Sequence, residues 1–324
     1  MTIQLEQKCS AIVMVVEIIS NLVIVSEKVV EAKALLIDGG YSEEDALKTI
    51  QATGFETLSR FDAFDVEYLI SGTRDRMKEH LLDASVKLVV VVTQTNQRKI
   101  PNAASILQAQ LDLNEDAFCV EIVDGCNGFV KALVLADRLL GEDQVGLIFA
   151  GEFNSLMLSG AAAGTSALFG DGFALTQVKK SGKFDSRVRQ RGGSGDVIRF
   201  GGSDHVLHMD GFEVFAFTTR QVPDLLKGIN SPAFDEKRFP VFHQASKLVV
   251  EQVAKRIGFE NKQRPVFSAG TIGNLGAGSI PSWLAQQDDI LDGSEIISVG
   301  FGSGLSWGYA TALWSAERNE LVYI

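Results

Sequence analysis

The sequence predicts an α/β protein built by duplication, with buried central sheets, and three observations predict it. Apolar, β-branched runs alternate with helical patterns along the chain. The second half repeats the strand, joint and helix plan of the first. FGDGF at 169–173 and FGSGL at 301–305 share a pattern, so each half closes on similar glycine-spaced strands.

The bulk properties fit such a protein. With 324 residues, 46% of them hydrophobic and 22% charged, the chain can bury one large core or two half-sized ones. A net charge of -11 argues against a general nucleic-acid binder, whose phosphate contacts need a basic surface. Cys9, Cys119 and Cys126 are too few for a disulfide scaffold, and no C-x-x-C pair suggests zinc, so a reducing cytoplasm is expected. The apolar run from Ala11 to Val25 is interrupted by Glu17 and Asn21 and lacks a basic flank. It reads as strands and a turn rather than a membrane span.

In order, residues 10–36 read as a strand, a connection and the start of a helix, with a turn at Asp38, Gly39 and Gly40. Ser42, Glu43 and Glu44 open a helix that runs through Ile50. TGFETLSRF at 53–61 breaks periodicity, and Tyr68 to Ala84 is helical again. Lys87 to Thr93 is a buried strand with a polar end, TQTNQRK. Pro101 begins the next helix, in whose first turn a proline is tolerated. QVGLIFAGE at 144–152 is another strand, and SGAAAGTSALFGDGFALTQV at 159–178 reads as a glycine-punctuated strand pair. Residues 179–199 carry seven Lys or Arg against Asp185 and Asp196. This is a solvated loop or hairpin, or alternatively a docking surface for an acidic partner. Strand, joint and helix recur from Pro240 to Gly258 and again from Pro265 to Ala285. EIISVGFGSGLSWGYATALW at 295–314 is a strand pair. No glycine motif has dinucleotide or P-loop spacing, so no cofactor is expected.

The stretch 116–141 carries the chemistry. Ala117 to Val123 suits a strand covered on both faces, Asp124 and Gly125 make a turn, and Phe129, Ala132, Leu133, Ala136, Leu139 and Leu140 recur at helical spacing up to Gly141. Cys126 lies at the joint. There the positive end of the helix dipole favours thiolate over thiol, and the flanking glycines leave room for a substrate. The competing reading makes Cys126 a buried core residue, as Cys119 is expected to be in mid-strand. His243 holds the equivalent joint in the second half, and Asn274 sits in the glycine-rich turn GNLGAG. Each alone fits a structural role. Ligand sites gather at the carboxyl ends of strands in open parallel sheets, so the three can converge as a thiolate nucleophile with two neutral donors for an oxyanion.

DGCNGF around Cys126, HQAS from His243, GNLGAGSIP around Asn274, FGDG at 169, LHMDGFEVF at 207–215 and the closing GFGSGLSWG resemble, in order, the signature blocks of the 3-oxoacyl-acyl-carrier-protein synthase III family. The resemblance spans about residue 87 to the C-terminus. It implies a thiolase-like fold, a duplicated five-layered αβαβα architecture whose halves divide at residues 1–180 and 181–324, and a homodimer with the cysteine at the base of a tunnel. It further implies that Cys126 takes an acyl group from a coenzyme A or carrier-protein thioester. The oxyanion would be held by the backbone amides of Cys126 and Ser303. His243 and Asn274 would stabilise the enolate left when a malonyl thioester loses carbon dioxide, each donor worth roughly 3 kcal/mol in a dry pocket.

The chain departs from the family pattern in places. TGFETLSR keeps Thr53, Gly54 and Arg60 of the block that helps bind coenzyme A, but no tryptophan precedes Trp283, and the arginine often seen after GEFNSLM is missing. HQAS and GNLG replace the usual HQAN and GNTS. These changes favour a carrier protein over coenzyme A, and a specialised pathway over housekeeping fatty-acid initiation. Two other functions compete with condensation: an acyltransferase passing the Cys126 acyl group to an amine or hydroxyl, and a non-catalytic partner subunit of an active paralogue. Asn274 speaks for condensation, and the intact trio speaks against a structural subunit.

Overall fold

The computed structural model describes residues 15–83, 85–182, 184–201, 205–227, 229, 234–259 and 264–324. The first half runs β1 (Val15–Val25), β2 (Val29–Glu31), α1 (Ala32–Asp38), α2 (Glu43–Thr53), β3 (Thr57–Ser59), α3 (Val66–Glu79), β4 (Val86–Val92), α4 (Ala103–Gln110), β5 (Phe118–Ile122), α5 (Gly128–Leu139), β6 (Val145–Glu152), α6 (Ala163–Ser166) and β7 (Gly172–Gly182). The second runs β8 (Ser186–Gln190), β9 (Ile198–Arg199), β10 (His208–Met209), α7 (Gly211–Leu226), β11 (Arg238–Phe242), α8 (Lys247–Ile257), α9 (Ser279–Ala285), β12 (Ser294–Gly302) and β13 (Ser306–Tyr323).

Local chemistry sets several boundaries. Ser42 caps α2 by accepting from the Asp45 amide, and Gly54, with φ of 79°, ends it three residues beyond Ile50. Asp210 caps α7 through the Glu213 amide, and Ser246 caps α8 through that of Val249. Gly258, with φ of 75°, closes α8 in the left-handed conformation that glycine adopts without steric cost.

The duplication is visible in the strand pairing. β4 pairs parallel with β6, which pairs antiparallel with β7, which pairs antiparallel with β1. In the second half β11, β12, β13 and β8 repeat these relations in the same order. The long β13 also runs parallel to β1, so the two halves join in one sheet ordered β11-β12-β13-β1-β7-β6-β4-β5, with β8 beside β13. On this equivalence we propose the division at residues 180 and 181. Helices α5 and α9 pack on strands of both halves and form the middle layer; α3 and α4 cover the first half from outside, and α7 and α8 the second. The largest apolar cluster accordingly joins Val90, Phe129 and Leu133 to Phe239, Ile297 and Ala310. The architecture is the layered thiolase-like fold expected.

Several local expectations are corrected. Ala117 to Val123 is not covered on both faces: β5 lies at the sheet edge, with Phe118 58% and Val123 72% exposed. An apolar strand reads alike at an edge and in a centre until its neighbours are known. Residues 159–178 hold α6 and one strand rather than a strand pair, because the small residues from Ala161 to Ala167 coil. The segment from Pro265 makes no strand; the Gln244 side chain takes the place of a ladder, donating to Val266 O at 3.2 Å and accepting from Ser268 N at 2.9 Å. Pro101 precedes α4 rather than opening it, since Asn102 is the cap and accepts from Ser105 N. Within 11–25, residues 15–25 are one strand with an irregularity between Ile18 and Ser20; residues 11–14 and Cys9 lie outside the described residues. The basic stretch runs from β7, which pairs with β1 and β6, into β8, which pairs with β13, and on to β9, so it is no hairpin; its Lys183 also lies outside the described residues. No helix among the described residues is long and apolar enough to cross a membrane.

Candidate active site

Cys126 follows β5 at the start of α5, where Gly128 N donates to Gly125 O at 2.7 Å and the buried Asn127 anchors the joint by donating to Ser306 Oγ at 2.8 Å. The glycines beside it are closely packed. A Cβ on Gly128 would lie 2.3 Å from Val92 Cγ1, and one on Gly125 would lie 2.5 Å from Gln94 Oε1. Across the cavity, the turn after β12 abuts the sulfur: a Cβ on Gly302 would come within 2.7 Å of Cys126 Cβ and 3.0 Å of its Sγ. Ser303 is therefore the next residue along a backbone already in contact with the cysteine. Cys119, on the edge strand, is half-buried against the second apolar cluster.

His243 follows β11, its amide bonded to Val299 O at 2.8 Å, and its ring packs edge-on to Phe301 with centroids 5.3 Å apart. Asn274 is held from both halves. Its amide donates to Leu168 O, and its carbonyl accepts from Gly170 N at 3.0 Å and Asn154 Nδ2 at 3.1 Å. Its side-chain Oδ1 accepts from Gly276 N at 2.9 Å and Ser279 Oγ at 3.2 Å, which turns the Nδ2 amide the other way, to 3.5 Å from His243 Nε2. That separation is at the long limit for a hydrogen bond. With the proton on Nε2, both N–H groups can instead point at one oxygen placed between them.

Cys126, His243, Asn274 and Ser303 line a single cavity of about 650 Å³. Its charge state differs from the sequence expectation. α5 does begin beside Cys126, yet burial, reinforced by the nearby Glu152 and Asp124 carboxyls, pushes the thiol up to about 12, against one backbone hydrogen bond. The helix start alone does not make this cysteine a resting thiolate. Burial likewise pulls His243 down to about 3, against a backbone hydrogen bond with Gly276, so the imidazole is neutral. The resting pair is thus thiol and imidazole, both uncharged.

Two further residues of the cavity carry no motif in the sequence. Glu152, 1% exposed at the end of β6, accepts from Thr93 Oγ1, Thr95 Oγ1 and Gln94 N, at 2.9 to 3.1 Å. Burial pushes its carboxyl up to about 8 despite those donors. Gln94 follows β4 and leans over Gly125. Both stand at carboxyl ends of parallel strands, the signal that located His243. Thr53 lines the cavity too, but Arg60 does not: it donates to Ser59 O, Ser166 O and Phe169 O, and so holds the FGDG turn.

A layered α/β duplication with a cysteine and a histidine at strand ends and an asparagine in a glycine-rich turn, all around one apolar cavity, defines a thiolase-fold condensing acyltransferase. Comparison with known proteins agrees. Residues 235–314 match the family profile described as 3-oxoacyl-[acyl-carrier-protein] synthase III C terminal. The chain is 29% identical over 258 residues to the beta-ketoacyl-[acyl-carrier-protein] synthase III of Chlorobium phaeobacteroides, covering 71% of this chain and 78% of that one. It is 28% identical over 300 residues to that of Streptococcus equi subsp. equi, covering 82% and 92%. The crystal structure of 3-oxoacyl-(acyl-carrier protein) synthase from Burkholderia xenovorans LB400 superposes with a TM-score of 0.84 at 22% identity, covering 96% of this chain and 98% of that one. The chain is thus similar to 3-oxoacyl-acyl-carrier-protein synthase III proteins along most of its length.

Proposed function

We propose that the protein forms an acyl-enzyme on Cys126 and extends it by decarboxylative condensation with a malonyl thioester. The observation that carries this reading is the pair of neutral donors, Asn274 Nδ2 and His243 Nε2, 3.5 Å apart in the cavity that holds Cys126. In the first step the sulfur attacks the donor thioester carbon, its proton passing through His243 to the departing carrier thiol. The oxyanion is met by the backbone amides of Cys126 and Ser303. In the second step the malonyl thioester oxygen takes both neutral donors. The bond between the malonyl carboxylate carbon and the α-carbon breaks, carbon dioxide leaves, and the electron pair forms an enolate whose carbon attacks the acyl carbon on Cys126. The bond from the acyl carbon to sulfur breaks, the sulfur regains a proton from solvent, and the product is a 3-oxoacyl thioester. A neutral His243 suits this step, since an uncharged N–H donor cannot pair with the malonyl carboxylate and hold it back.

No cofactor beyond the thioester substrates is invoked, and a specialised pathway in the cytoplasm fits the departures in TGFETLSR. Arg187, Arg189 and Arg191 on and after β8, with Arg199 at the cavity, offer cations to an acidic carrier protein on a chain of net charge -11. Incubation with acyl-carrier-protein and malonyl-carrier-protein thioesters should release carbon dioxide and a 3-oxoacyl thioester, faster than with the coenzyme A forms. Transfer of the acyl group to an added amine or alcohol with no carbon dioxide would favour the rival acyltransferase reading. The exposed edge of β5, flanked by Phe118 and Val123, is where we place a second copy of the chain. Light scattering should give a dimer, and a monomer at micromolar concentration would contradict it.

A further inference from the structure

Resting on the Cys126 acyl-enzyme reading, we propose that the donor acyl group carries a hydroxyl along its chain, which donates a hydrogen bond to Asn154 Oδ1. The partners of this carboxamide fix its orientation. Asn154 Nδ2 lies 2.6 Å from Gly170 O and 3.1 Å from Asn274 O, and both are acceptors, so the atom facing them is the NH2 and the other is the carbonyl oxygen. The two turns that supply these acceptors pack on one another: a Cβ on Gly170 would come within 1.8 Å of Ile272 O, and one on Gly273 within 2.6 Å of Gly170 N. Turning the amide over would break both hydrogen bonds. Oδ1, its other polar atom, accepts from no donor among the described residues. Asn154 is only 2% exposed, yet it lines the cavity that holds Cys126. A polar atom shut off from bulk water is normally paired, and a ligand in that cavity can supply the missing donor.

The depth of Asn154 says which part of a substrate meets it. Phe200 and Phe212, 46% and 76% exposed, line the outer end of the cavity, where the thioester arm enters. Asn154 shares a short turn with the buried Met157 and binds the carbonyl that follows Phe169, so it is the acyl group that reaches it. An ammonium could also donate to Oδ1, but burying its charge among apolar side chains costs far more than burying a hydroxyl.

The hydroxyl takes no part in the transfer: the Cys126 sulfur bonds to the acyl carbon, the carbon–sulfur bond to the carrier breaks, and the carrier thiol leaves with the proton from Cys126. One neutral hydrogen bond to an acceptor otherwise left bare changes a rate by about tenfold. The test follows Cys126 acylation by intact mass against time, with the carrier-protein thioesters of octanoic acid and of its 3-, 5- and 7-hydroxy derivatives. One of the hydroxylated donors should load about tenfold faster than octanoyl. Asn154→Leu, which removes the acceptor, should bring that ratio to about one. Because the ratio is taken within one protein, a general loss of activity in the variant cancels, and the ratio in the parent decides on its own if the variant does not fold. A parent that loads octanoyl as fast as every hydroxylated donor, or a preference that persists in Asn154→Leu, overturns the inference and leaves the acyl-enzyme standing. No adduct from any donor overturns both.

Discussion

An Asn274→Ala variant is expected to load Cys126 with an acyl group at close to the parent rate, yet to condense it with a malonyl thioester about 10² to 10³ times more slowly. The loss is that measured when one preorganised donor is removed from a developing oxyanion. The split follows from the geometry. Asn274 spends its Oδ1 on Gly276 N and Ser279 Oγ and has only Nδ2 left to offer, beside His243 Nε2. Truncation also strands two buried donors, Gly276 N and Ser279 Oγ, at roughly 1–3 kcal/mol each, so stability falls as well. Single-turnover acylation separates that effect from catalysis. A parallel loss of acylation would place Asn274 in the first step and contradict its assigned role.

The second large effect is on stability, and it comes from Glu152. Its carboxyl ionises near 4.5 in an open chain but is pushed up to about 8 in the fold by burial. Between those values the unfolded chain has released a proton that the native protein still holds. The Glu152 contribution to stability is therefore full below about pH 4.5 and declines as pH rises, by about 1.4 kcal/mol per unit, until it levels off above about pH 8. The whole window amounts to roughly 5 kcal/mol. Glu152→Gln keeps a neutral acceptor for Thr93, Thr95 and Gln94 at every pH and should remove most of this slope, so that the variant gains on the parent as pH rises. Denaturant unfolding at pH 5.5 and 8.5 reads the difference directly. Equal slopes in the two proteins would mean that Glu152 is ionised in the native state.

Much of this site is legible in the sequence because the thiolase-like plan puts chemistry at strand ends, and strand ends are marked by an apolar run meeting a polar residue before a helix. Cys126 and His243 stand at such joints, and Asn274 in a glycine-dense turn that only a close backbone approach requires; the structure brings all three to one cavity. The same rule applied to Thr93–Gln94 and to Glu152 would have found the rest. Those positions read instead as the polar end of one strand and the last residue of another, and a polar residue beside a loop normally faces water. The charge state of Cys126 was misjudged for a related reason. The helix start is local and visible in the sequence, whereas Glu152 reaches the sulfur from twenty-six residues away in the chain. The edge position of β5 is hidden because its sequence is as apolar as that of a buried strand, although Phe118 in it and Val123 just after it are exposed.

The central claim is that Cys126 carries the acyl group, and intact-mass measurement of the protein after exposure to acyl-carrier-protein thioesters tests it most directly, beside Cys126→Ala. A single acyl adduct on the parent, absent from the variant, is the predicted result. An adduct that persists in Cys126→Ala, or a parent that stays unmodified while still condensing malonyl thioesters, would show that the sulfur at the start of α5 is not the nucleophile.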